Sequence, residues 1–86
     1  MQEELDLRGY QCPLPVLKTR AKLRKMQPGN QVWVLTDDPL ATIDIPAFCN
    51  ESGQLLVEQV ASGDGGGGGG VGNDHRFLIE RQSNEL

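Results

Sequence analysis

The chain has 86 residues, 37% hydrophobic and 23% charged, with a formal net charge of −4. That length fits one small domain, read as residues 1–86, and no run approaches the ~20 apolar residues of a membrane span. Two cysteines and one histidine are too few for a disulfide scaffold or a structural metal site, and the acidic balance argues against strong direct nucleic-acid binding.

The opening Met1-Gln2-Glu3-Glu4 is acidic and has no apolar stretch of the signal-peptide kind. A cytoplasmic protein that uses neither metal nor cofactor is expected. The charge is unevenly divided: residues 1–25 carry six basic and three acidic groups, whereas residues 26–86 carry two basic and nine acidic.

Glu4-Leu5-Asp6-Leu7-Arg8 alternates, with Leu5 and Leu7 on one face, and predicts a half-buried strand ended by Gly9. Cys12-Pro13-Leu14-Pro15 then opens a helix, because proline suits a first turn whose N–H groups have no intrahelical partner. The helix is predicted to reach about Met26 and to stop at Gln27-Pro28-Gly29. Val16, Thr19, Leu23 and Met26 form its predicted core stripe. Leu14, Leu17 and Ala21 form a second apolar patch flanked by Lys18, Lys22 and Lys25, suited either to a partner or to neighbouring loops.

Val32-Trp33-Val34-Leu35 predicts an interior strand over residues 31–36. Asp37-Asp38-Pro39 follows, with Asp38 expected as the cap of a second helix and Pro39 as its first residue. That helical segment, 40–52, is expected to be interrupted at Pro46 and re-capped by Asp44, with Leu40, Ile43, Ala47 and Phe48 as core candidates. Gly53 suits its C-terminus. Residues 55–61 and 76–81 predict a third and a fourth strand.

Residues 62–74 hold most of the 11 glycines. They read as a flexible glycine-rich loop between strands 3 and 4. No Gly-Lys-Ser/Thr ending and no following helix support a phosphate loop. The order βαβαββ predicts an α+β, two-layer sandwich: a mixed four-stranded sheet with both helices on one face.

The chemistry concentrates at Gly9-Tyr10-Gln11-Cys12-Pro13-Leu14-Pro15. A cysteine at a helix N-terminus is expected to have its pKa lowered by the helix dipole and by free N–H groups, here those of Leu14 and Val16. Arg8 could add positive charge. No catalytic base stands beside Cys12 in the sequence, and His75 is expected on the surface, which argues against a cysteine hydrolase. Pro15 occupies the place where a dithiol redox motif needs its second cysteine. What remains is sulfur transfer: a lone nucleophilic sulfur accepts the outer sulfur of a persulfide and holds it for the next acceptor. A purely structural cysteine is the plain alternative.

Cys12-Pro13-Leu14-Pro15, after a short strand and a glycine, resembles the Cys-Pro-x-Pro motif of the TusA/SirA-like sulfur carriers. The resemblance continues through Met26-Gln27-Pro28-Gly29, Asp37-Asp38-Pro39 and Asp44-Ile45-Pro46-Ala47-Phe48-Cys49, and covers residues 4–61 and 75–82. It implies the same βαβαββ sandwich. It also implies that Cys12 bears the persulfide, with Gly9, Pro13, Leu14 and Pro15 as its supporting motif. The implied partners are a cysteine desulfurase-type donor and a downstream relay protein, as in 2-thiouridine formation in tRNA. The sequence departs from the family in its long glycine tract, in Tyr10 where leucine is frequent, and in Gln54 near the place of a frequent histidine.

Lys18, Arg20, Lys22, Arg24 and Lys25 are the expected docking residues for an acidic surface of the donor. Cys49 is expected to be buried and inert. Two other readings stay open: an RNA- or protein-binding regulatory module using the basic first helix, and a Cys12/Cys49 thiol redox protein.

Overall fold

The computed structural model describes residues 2–61 and 74–83. Six elements follow one another: β1 (Gln2–Asp6), α1 (Leu14–Arg24), β2 (Gln31–Thr36), α2 (Ala41–Ser52), β3 (Leu55–Ala61) and β4 (His75–Glu80). The strands form one sheet in the order β1-β2-β4-β3. β1 and β2 are parallel, and β4 runs antiparallel to both β2 and β3. The predicted fold class is therefore the observed one: a mixed four-stranded sheet with two helices. The glycine-rich loop expected over 62–74 lies, apart from Asp74, outside the described residues.

The sheet has two unlike faces. Along β2, Val32, Val34 and Thr36 are fully buried, while Gln31, Trp33 and Leu35 are half-buried. Val32 and Val34 pair with Ile79 and Phe77 of β4, and this side meets both helices in one core with Leu7, Leu23, Met26, Ala41, Ile45 and Cys49. On the other side Trp33 pairs with Leu78, and the Arg76 guanidinium lies 5.1 Å from the Trp33 ring centroid.

β1 ends two residues earlier than predicted. The ladder nonetheless continues through Leu7, whose N–H donates to the Leu35 carbonyl at 2.7 Å. In α1 the buried stripe is Pro15, Thr19 and Leu23, continued by Met26, and Val16 is only partly buried. Leu14 and Leu17, the second patch, stay exposed.

The larger correction is in α2. The helix is continuous through Pro46, although that residue removes one intrahelical hydrogen bond and its ring crowds the preceding turn. An unbroken helix presents one face at i, i+4, i+8, and the core residues are Ala41, Ile45 and Cys49 with Phe48 partly buried. Leu40 and Ile43, expected in the core, are exposed at 53% and 66%, and Ala47 is exposed as well. Gly53 ends the helix with φ +75°, a left-handed conformation that favours glycine. Next to it Gln54 is buried, donating to the Ser52 carbonyl and accepting from the Gln82 N–H at 2.6 Å, which fastens the turn before β3 to the chain leaving β4.

Candidate functional site

Because β1 and β2 are parallel neighbours, their C-terminal ends lie side by side, and the chain leaves both at the same edge of the sheet. In open α/β sheets this is where ligand and reaction sites collect. Here it joins the segment 8–13, which carries the cysteine motif, to the segment 37–40, which carries the aspartate pair.

Two contacts tie the two connections together, and a third ties Cys12 to α2. The Gly9 N–H donates to Asp37 Oδ1 at 3.0 Å, and the Cys12 N–H donates to Asp38 Oδ2 at 2.7 Å. The Cys12 thiol donates to Asp44 Oδ2 at 2.9 Å. Gly9 has φ +93°, and a Cβ there would meet no atom within 4 Å, so its backbone conformation rather than space calls for glycine.

Asp38 does cap, though differently from the expected way. Its Oδ1 accepts from the Leu40 N–H at 3.0 Å and its carbonyl from the Ala41 N–H at 2.9 Å, so an Asp38-Pro39-Leu40 turn precedes a helix that begins at Ala41. Its other carboxylate oxygen is left over for Cys12. Asp44, expected to re-cap a broken helix, has no break to cap; it stands in the first turn of α2 and turns to the thiol.

The expected lowering of the Cys12 pKa is overturned. The Leu14 N–H, one of the two donors assigned to the sulfur, bonds to the Gln11 carbonyl at 2.8 Å. Arg8 is occupied by Asp6, with Nε 2.9 Å from Oδ1 and Nη2 2.7 Å from Oδ2, an interaction that holds the Asp6 carboxyl down to about 2. The Cys12 pKa is raised: the hydrogen bond to Asp44 favours the protonated thiol, and partial desolvation and the negative charges of Asp44 and Asp38 act in the same direction.

Cys12 is exposed and unpaired with Cys49, which is 2% exposed within the core as expected. It lies on an open depression of about 460 Å³ lined by Gly9, Tyr10, Gln11, Cys12, Asp37, Asp38, Pro39 and Leu40. Pro13 caps α1, Leu14 is exposed beside it, and Pro15 is buried below. Lys18 stands over the Tyr10 ring, its Nζ 4.7 Å from the centroid.

Of the expected docking residues, Lys18, Arg20, Arg24 and Lys25 are exposed, while Lys22 is half-buried and ion-paired with Glu3 of β1. Lys18, Lys22 and Lys25 line a groove of about 300 Å³ with Leu5 and Ala21, between α1 and the edge strand. The site residues that sequence reasoning missed are Asp37, Asp38 and Asp44, of which Asp44 reaches the sulfur itself. Their signal was topological, since two parallel strands joined by a helix bring the starts of both following helices to one edge.

No helix of the described residues is long and apolar enough to cross a membrane. The family model described as "Sulfurtransferase TusA" matches residues 3–68, which spans β1 through β3 and includes both the cysteine motif and the three aspartates around it. The chain belongs to the TusA sulfurtransferase family, and its general role is that of a sulfur carrier or sulfurtransferase.

Proposed function

We propose that the protein accepts a persulfide sulfur on Cys12 from a cysteine desulfurase-type donor in the cytoplasm and relays it to an acceptor protein, with tRNA 2-thiouridine synthesis as a representative destination. The observation that carries this reading is an exposed, unpaired thiol at the edge of an open depression, its backbone tied by Asp38. Such a surface suits an atom delivered by another protein better than a small molecule that must be enclosed.

The reaction is an exchange: donor–S–SH and Cys12–SH become donor–SH and Cys12–S–SH. The Cys12 sulfur bonds to the outer sulfur, and the donor S–S bond breaks with its electron pair on the donor sulfur. That sulfur takes up a proton equivalent to the one Cys12 gives away. Relay repeats the exchange with the acceptor thiol. Docking falls to the basic side of α1, where Lys18, Arg20, Arg24 and Lys25 are exposed next to the lysine-lined groove.

The test is the intact mass after incubation with a cysteine desulfurase and cysteine. The wild type is expected to gain one sulfur atom that a thiol reductant removes, and Cys12→Ser to gain none. A wild type that gains nothing, or a Cys12→Ser variant that gains as much, would sink the reading.

A further inference from the structure

We infer that Asp44 is a positioning residue for Cys12: its carboxylate holds the unloaded sulfur as a hydrogen-bonded thiol and turns the loaded persulfide outward. The inference rests on the proposed carrier reading for its second half, while the first half concerns the thiol alone.

In the 2.9 Å contact the Cys12 thiol is the donor and Asp44 Oδ2 the acceptor, and a sulfur without its proton has nothing to donate there. Removal of that proton would set a thiolate against a carboxylate at hydrogen-bond distance, with Asp38 as a second negative neighbour. Among the described residues, the charged and titratable groups on the segments around Cys12 are Asp44 from α2, Asp37 and Asp38 from the connection before it, Arg8 and Tyr10 from its own segment, and Lys18 from α1. The two cations have other partners, Arg8 the Asp6 carboxylate and Lys18 the Tyr10 ring. The direction of the Cys12 pKa agrees with this arrangement.

Loading changes the balance. In Cys12–S–SH the inner sulfur no longer has a proton to give Asp44, and the outer sulfur ionises more readily than a thiol. The anion is repelled by Asp44 and Asp38 and turns towards the open side of the depression, where Tyr10 and Leu40 are exposed. Transfer to acceptor–SH gives acceptor–S–SH and Cys12–SH, and the regained thiol proton restores the bond to Asp44. The same carboxylate therefore protects the empty carrier from stray electrophiles and favours unloading of the full one.

The experiment follows alkylation of Cys12 by iodoacetamide against pH, read by mass, in the wild type, Asp44→Asn and Asp44→Glu. Asp44→Asn is expected to move the midpoint down by about one pH unit or more and to speed alkylation at neutral pH. Asp44→Glu, which keeps the charge, is expected to stay near the wild-type midpoint. Circular dichroism of the wild-type shape is expected in both. An Asp44→Asn midpoint equal to or above the wild type would overturn the inference, as would slower alkylation at every pH, the behaviour of a lost general base. In the loaded protein, Asp44→Asn is expected to release sulfur to a small thiol more slowly; an unchanged rate overturns the outward-turning half. Failure of the wild type to load would defeat the carrier reading and leave the alkylation result standing.

Discussion

At the scale of single residues, the two cysteines are opposite cases of one chemistry. Cys12 is exposed and its thiol donates to a neighbouring carboxylate that shifts its pKa upward, whereas Cys49 is surrounded by apolar side chains and its pKa is pushed up to about 11 by burial alone. A native sample treated with a thiol reagent should take one label, on Cys12, and a denatured sample two; two labels at equal rates in the native protein would contradict the buried placement. Cys49 also sets a pH dependence. Its native pKa lies above the unfolded value of about 9.0, so its contribution to stability is complete below that pH and is lost as pH rises from about 9 towards 11. Urea midpoints of the wild type should therefore fall across that window more steeply than those of Cys49→Ala. Parallel declines would show that burial does not set the Cys49 ionisation.

At the scale of elements, each helix has one feature that a mutation can read. In α1, Thr19 is fully buried and its hydroxyl has no hydrogen-bond partner among the described residues. Thr19→Val replaces that hydroxyl with a methyl group and should stabilise the fold by about 1 kcal/mol, seen as a higher denaturation midpoint with unchanged slope. Just before α2, Asp38→Ala removes the acceptor for both Leu40 and Cys12 and should cost roughly 0.5–2 kcal/mol. The elements themselves were legible from alternation, from the proline-marked helix starts and from Gly53. What was not legible was decided between segments. Pro46 looked like a break, but Ala41, Ile45 and Cys49 share a face only if the helix runs on, and burying that face outweighs the lost bond and the crowding of the proline ring. Cys12 looked like a thiolate at a helix terminus, because nothing within residues 9–16 reveals an aspartate 32 positions away.

At the scale of the molecule, the division of charge acquires a location. Lys18, Lys22 and Lys25, along α1 and at its end, line the groove beside Leu5, while the acidic residues Asp37, Asp38 and Asp44 meet around the thiol. Two fields of opposite sign thus flank one reactive atom. Reversing Lys18 and Arg24 to glutamate should slow sulfur acceptance from a desulfurase by about tenfold at low salt, with the gap closing as salt rises. Unchanged and equally salt-insensitive transfer would remove α1 from the docking surface. Trp33 lies on the sheet face away from the helices, under Arg76, so its emission should follow unfolding and remain indifferent to the state of Cys12.

The ties from Gly9 to Asp37, and from Cys12 to Asp38 and Asp44, bear on protein engineering. The seven residues around the cysteine are not a portable cassette. A graft of Gly9 to Pro15 onto another strand–helix junction would carry over a thiol without the acids that orient and restrain it. The smallest transplantable unit is a pair of adjacent parallel strands with both of their outgoing connections, because the reactivity of the sulfur belongs to the contact between them.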